Sequence, residues 1–357
     1  MLFRSSGSEF VKHITERQKR WHAAKMRTVM RRRVRINRGR IKKLDQPHNY
    51  SRLEHRTNRV VLSAPAHLSL ISNKEETLSF FEESIRATKE CRTRQTIYFD
   101  LENVETITPD AIMYLIALVN NVKRVRTLRI TCEGNLPRSK EAREMIEKAG
   151  FYQHVNSLRV SRTFDKGNRI QISSGNNVNG PFIGSICDFV QAHSAGHGSI
   201  QTKRLYRMFT ELMTNTYQHA YKDSGSVMDD HWFIYVENSE EYIYFVFLDT
   251  GVGIPATIRL NFKEKVEKLF LKNNDAKYIS SALKGDFRTE TRQGHRGKGL
   301  PGIYSDTQSG DIYDLTIISG KGACYINSKC EMIESSSSVP FCGTLFCWKY
   351  SKLREVA

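Results

Sequence analysis

From about residue 58 the chain alternates short apolar runs with longer amphipathic stretches. RVVLSAP (59–65) and TIYFDLENV (96–104) are compact runs rich in β-branched and aromatic residues, which predicts strands. Between them, KEETLSFFEESIRATKEC (74–91) repeats apolar residues at helical spacing behind an acidic first turn. PDAIMYLIALVNNVKRV (109–125) opens with Pro109 and Asp110, both suited to a first helical turn, and carries an apolar face. LRITCEG (128–134) reads as a further strand, and SKEAREMIEKAGF (139–151) as a further helix ended near Gly150. Strand, helix, strand, helix at this rhythm predicts a small α/β domain over residues 51–160.

The next stretch, 161–178, is polar and contains glycine in DKGNRIQISSGNNVNG (165–180), which predicts a linker or a hairpin. Beyond it the pattern predicts a helix at about 184–196, a helix carrying ELMTNTYQHAY (211–221), and two strands, HWFIYVENS (231–239) and EYIYFVFLD (241–249). A mixed, lysine-rich region follows, then a glycine cluster and the closing strands DLTIISGKGACYI (314–326) and GTLFCWKY (343–350). Helices set before and between hairpin-linked strands predict an α+β sandwich over 179–352. There is no internal repeat, and the only low-complexity run is Ser335–Ser338.

Charge separates the N-terminus from the rest. The net charge is +17, and residues 1–44 hold 15 Lys and Arg against only Glu9 and Glu16. The remaining body is close to neutral. With LDQPHNYS (44–51) as a linker, residues 1–50 read as a basic helical arm plus linker. Such an arm admits several readings: a solvated helix, a docking segment for a protein partner, a nucleic-acid contact acting by counterion release, or a transit segment. Aromatic interleaving for nucleic acid is thin, limited to Phe3, Phe10 and Trp21. No apolar run approaches the roughly 20 residues of a membrane span, and no apolar signal core opens the chain. Seven scattered cysteines fit free thiols in a reducing compartment, so a cytoplasmic protein is expected.

The 211–221 helix is chemically unusual. Glu211, Asn215 and His219 stand four apart and therefore share one helical face, with Leu205, Met208, Leu212 and Met213 available for packing. A polar stripe on a partly buried helix is costly unless it meets a ligand or partner. FLDTGVGIP (247–255) ends an aromatic strand in Asp249 and then offers Gly251, Gly253 and Ile254, where backbone can approach a ligand closely. GHRGKGLPGI (294–303) sets Gly297, Lys298, Gly299 and Leu300 before a helix, and glycines feeding a helix N-terminus make a nest of N–H donors for phosphate.

Taken in order, E-x-x-x-N-x-x-x-H-A-Y, D-x-G-x-G-I, G-x-G-L and Gly343-Thr344 resemble the GHKL ATPase/kinase superfamily, which includes gyrase, MutL and the histidine kinases. The resemblance covers about residues 176–350 and looks closest to histidine-kinase-like and anti-sigma-factor serine kinase members. It implies a Bergerat α/β sandwich that binds ATP and Mg2+. By that resemblance Asn215 coordinates the metal, and Glu211 serves as general base or holds the metal's water shell. Asp249 would accept a bond from the adenine amino group, and Gly251, Gly253, Gly297 and Gly299 would shape the pocket and phosphate lid. Thr344 would lie near the adenine, and the 255–296 segment would form the lid. Ile254, Lys298 and Leu300 belong to the same motifs, and His219 would orient Glu211 or touch phosphate. A carboxylate and an amide oxygen are hard donors suited to Mg2+.

IYFDLENVETITPDAIMYLIALV followed by LRITCEG and EKAGF resembles a STAS domain, the anti-sigma-factor antagonist that GHKL serine kinases bind. The phosphorylatable D-S-S-G turn of that family falls on Thr108, Pro109, Asp110 and Ala111, so the serine is missing and Asp110 stands near its place. A fixed carboxylate there would mimic a phosphate, or the domain would only mediate contacts. Only about ten residues follow the last motif, so the transducer domain of gyrase-like members is not expected. The expected function is a Mg2+-dependent ATP-binding regulator that hydrolyses slowly or gates a protein partner. Alternatives are a protein Ser/Thr kinase and a nucleic-acid-binding regulator acting through residues 1–44. A homo-oligomer is compatible with either. Cys324, Cys330, Cys342 and Cys347, separated by five, eleven and four residues, do not have the spacing of a compact zinc site.

Overall fold

The computed structural model describes residues 59–91, 95–124, 130–155, 167–194, 199–220, 231–262, 274–287, 299–310 and 312–352, with the side chains at 123–124, 199–201, 217–220 and 261 outside the description. The basic arm lies outside the described residues. The described residues all belong to one compact unit.

The N-terminal part of that unit is a parallel α/β layer. Strands β1 (Arg59–Ser63), β3 (Thr96–Asp100) and β5 (Thr131–Gly134) pair in parallel with β3 in the centre, and β2 (His67–Leu68) pairs in parallel with β4 (Thr106–Ile107). Period-two alternation buries Ile97 and Phe99 of β3 and turns Tyr98 outward, where the Arg59 guanidinium covers its ring. Helices α1 (Lys74–Glu90), α2 (Pro109–Arg124), α3 (Lys140–Lys148) and α4 (Phe151–His154) complete this part. Ser139 caps α3 by accepting the Ala142 N–H, and Gly150 ends it in the left-handed conformation expected of a C-terminal glycine.

The second part is a five-stranded antiparallel sheet of β6 (Arg169–Gly175), β7 (Trp232–Asn238), β8 (Tyr242–Asp249), β9 (Ile312–Ile326) and β10 (Met332–Ser351), ordered β6-β7-β8-β10-β9. Among the described residues, five helices accompany it: α5 (Gly180–His193), α6 (Ser199–Ala220), α7 (Ile254–Asn261), α8 (Asp275–Lys284) and α9 (Gly299–Gln308). On one face, Ile243, Phe245 and Phe247 of β8 share a core with Ile183 of α5, Phe209 of α6, Leu283 of α8 and Ile303 of α9. On the other, Val246 and Leu248 of β8 share a core with residues of β1, β3, α1 and α2. The sheet is therefore buried on both faces, with the N-terminal helices as one of its covers.

Two expectations change. The stretch 161–178, read as a linker, holds strand β6, whose Ile170 and Ile172 alternate with polar neighbours and pair with β7. The separate domains expected at 51–160 and 179–352 share one continuous core instead, because the apolar back of the sheet needs the cover that α1 and α2 give. Ser335–Ser338 lies within β10, where Lys74 and Glu75 at the start of α1 bind Ser335 and Ser338.

The mixed α/β class holds, with parallel and antiparallel sheets together. All seven cysteines are free, and among the described residues no helix is long and apolar enough to cross a membrane.

Candidate functional site

Two groups of the expected residues assemble. The first joins α6 to the start of α9. A Cβ placed on Gly299 would lie 3.0 Å from Glu211 Oε2 and 3.3 Å from Glu211 Cβ, so the glycine lets the helix start meet the carboxylate without displacing it. Further along the same pair of helices, Arg207 binds Asp306 at 3.3 Å, and the Arg204 guanidinium donates to the Ser309 hydroxyl at 3.3 Å. As the number falls along α6 it rises along α9, so the two helices run antiparallel. The N-terminal end of α9, where unpaired N–H groups and the helix dipole favour negative charge, is thereby held at Glu211. Asn215 lies one turn beyond Glu211 on α6 and is half-buried. His219 falls on the last turn of α6, but its side chain lies outside the described residues, as do Gly297 and Lys298.

The second group surrounds the end of β8. Asp249, the last residue of β8, accepts the Gly251 N–H on Oδ1 at 2.9 Å, and this local bond fixes the carboxylate's direction. Thr250 bonds back to His231, which closes the strand ends of β7 and β8. Gly253 has φ +83°, and a Cβ there would sit 2.6 Å from Ser319 Oγ. The Ser319 hydroxyl, fully buried, accepts the Ile254 N–H at 2.9 Å and donates to the Gly343 carbonyl at 2.8 Å. Thr344 Oγ1 lies 3.3 Å from the same hydroxyl.

Gly343 has φ +118° and packs so closely on Asp249 that a Cβ would fall 2.0 Å from the Asp249 carbonyl oxygen. The register of β10 against β9 slips between Phe341 and Thr344. So the Gly343-Thr344 pair sits at an irregularity inside a 20-residue strand rather than ahead of one. Ile254 and Leu300, one from each group, both pack against the small cluster of Ile258, Tyr278 and Ala282. This contact ties the start of α7 to the start of α9.

The 255–296 segment is more structured than a simple lid. It contains α7 and α8, with α8 capped by Asn274 and ended by Gly285. Asp275 anchors it by pairing with Arg259 at 3.0 Å and accepting the Lys321 N–H at 2.8 Å. Residues 263–273 and 288–296 lie outside the described residues.

Sequence reasoning passed over Ser319. A serine beside glycine in the otherwise apolar LTIISG was the only signal available.

Asp110 also changes meaning. It is 1% exposed, accepts the Leu70 N–H at 2.7 Å, and lies under the sheet near Tyr244 and Cys347. Burial pushes its carboxyl above the usual range, although bonds from Thr108 and Leu70 pull the other way. A side chain so enclosed cannot present a phosphate mimic to a partner; it braces the loop before α1. Cys91, Cys187, Cys324 and Cys347 are buried too, and burial raises Cys324 to about 12 and Cys187 to about 11, which leaves those two poor nucleophiles. Among the described residues no cluster of His, Cys, Asp and Glu has the makings of a metal site by itself.

No protein-family model matches the chain, and no curated protein matches it either.

Proposed function

We propose that this chain is a Mg2+-dependent ATP-binding regulatory protein of the GHKL type, carrying a STAS-like N-terminal layer, that hydrolyses ATP slowly or uses its nucleotide state to control a partner protein. The observation that carries the reading is the contact of Glu211 with Gly299 at the start of α9. That contact sets a carboxylate, with an amide one helical turn away, beside a helix N-terminus suited to phosphate. The Asp249 edge supports it independently, because its carboxylate is held in one direction by Gly251 at the end of a strand.

The residues fit the group. Glu211 and Asn215 offer hard oxygen atoms, and the glycine at position 299 leaves room that a Cβ would fill. Bound Mg2+ would supply charge neutralisation on the phosphates. The chain's own part is to orient and to move a proton. Asn215 would hold the metal through its amide oxygen. Glu211 takes the proton of the attacking hydroxyl or water on Oε2. Asp249 accepts from an exocyclic amino group, and the Thr344 hydroxyl, set by Ser319, stands at the same edge.

The test follows the γ-phosphate. With radiolabelled ATP and Mg2+, free phosphate alone means hydrolysis, and label on a co-purified protein means kinase activity. Asn215→Ala is expected to remove Mg2+-dependent nucleotide binding, and Glu211→Ala to retain nucleotide while losing phosphate release. Binding by Asn215→Ala equal to wild type would contradict the metal role.

A further inference from the structure

Two consecutive carbonyls at the β10 irregularity are held by hydroxyls from different elements, one on the neighbouring strand β9 and one on α2. The Gly343 carbonyl accepts the Ser319 hydroxyl at 2.8 Å, and the Cys342 carbonyl accepts the Tyr114 hydroxyl at 3.3 Å. Tyr114 belongs to α2, in the N-terminal layer. Its ring is 1% exposed and sits between Phe81 of α1 at 4.7 Å and Phe341 of β10 at 4.8 Å. The peptide that it touches leads directly into Gly343, which lies against the Asp249 backbone, and into Thr344, which pairs with Asp249 across the sheet.

Gly343 has no side chain to fix this segment, and φ +118° is open to few alternatives, so the position of the bulge depends on what holds its carbonyls. A buried hydroxyl whose partner is lost has no water to replace it, so Tyr114 and the Cys342 carbonyl favour one arrangement over any that separates them.

From this geometry we infer that Tyr114 is a positioning residue for the base-reading edge, through which the N-terminal layer and the nucleotide site are energetically coupled. The inference rests on the nucleotide-site reading. Tyr114 acts through the Cys342 carbonyl, which sets Gly343 and Thr344, which in turn set the edge at Asp249. By reciprocity, a nucleotide that tightens this edge also tightens α2.

The experiment uses the full chain, with ADP and Mg2+ as the probe, in wild type, Tyr114→Phe and Phe81→Leu. Tyr114→Phe keeps the ring and its packing. It is expected to fold with a melting temperature a few degrees below wild type, because the Cys342 carbonyl loses its donor, and to bind ADP about tenfold more weakly, which corresponds to about 1.4 kcal/mol. Hydrogen exchange adds a readout that packing alone would not move. ADP is expected to protect peptides covering 109–122 and 341–346 in wild type, and the 109–122 response is expected to vanish in Tyr114→Phe. Phe81→Leu loosens the same aromatic contact without touching the hydroxyl; it is expected to lower stability while leaving ADP affinity and the α2 response in place. Equal ADP affinity and equal protection in wild type and Tyr114→Phe overturn this inference alone. No ADP uptake by the wild type overturns it together with the nucleotide-site reading.

Discussion

Gly343 shows how much depends on a single missing side chain. Its φ of +118° and the 2.0 Å gap between a would-be Cβ and the Asp249 carbonyl oxygen leave no relaxed place for alanine. Gly343→Ala is expected to cost about 2–4 kcal/mol, from strain and overpacking together, read as a lower urea midpoint with an unchanged slope. Asp110 gives a prediction with a pH sign. Its folded-state carboxyl is raised, so the stability linked to it is fully present in acid, where folded and unfolded chains are both protonated. That stability is lost as pH climbs through the folded value. Asp110→Asn can still accept the Leu70 N–H and carries no charge to bury. The variant is expected to be at least as stable as wild type at neutral pH, with the two curves converging in acid. Urea titrations across that range check it, and a wild-type advantage at neutral pH would count against the burial argument.

At the scale of elements, the important pairing is α6 with α9. The Arg207–Asp306 bridge is half-open on the arginine side, with Arg207 52% and Asp306 9% exposed, so it contributes as a partly screened charged bond. Arg207→Ala is expected to cost about 1–2 kcal/mol and to speed hydrogen exchange across 299–310, because α9 loses a tie to its neighbour.

Most of these elements were legible. Capping residues and helical spacing marked α1, α2 and α3, and aromatic runs marked β7 and β8. The strand β6 was not, because an edge strand of RIQISSG carries only two strongly apolar residues among polar ones and resembles a loop. The Ser335–Ser338 run was missed for a related reason. Ser335 and Ser336 pair with β9, and the Ser335 and Ser338 hydroxyls bond to α1, which leaves no apolar periodicity to read. The glycines of the candidate site could be read as turns, but the neighbours that each glycine meets, Glu211 for Gly299 and Asp249 for Gly343, follow only from the fold.

At the largest scale, the central revision for the described residues is from two domains to one unit with a shared core. The near-continuous apolar run of β8, IYFVFL, already fits a strand buried on both faces, which a sheet with one open face would not need. Phe233, Tyr235, Val246, Leu248 and Leu345 all turn toward the N-terminal layer. Residues 59–352 are therefore expected to unfold in one cooperative transition, with fluorescence and circular dichroism giving the same midpoint. A fragment starting at residue 167 is expected to expose that apolar face and to bind a hydrophobic dye or precipitate. Two separate transitions, or a soluble fragment that binds no dye, would contradict the shared core.

The function proposed for this unit turns on one question, whether adenine nucleotide with Mg2+ enters between α6, α9 and the Asp249 edge. Isothermal titration calorimetry of ATP into the full chain answers it directly. The account predicts saturable binding heat that requires Mg2+ and disappears in Asn215→Ala. Absence of heat from the wild type at saturating nucleotide, or Mg2+-dependent heat that survives Asn215→Ala, would contradict it.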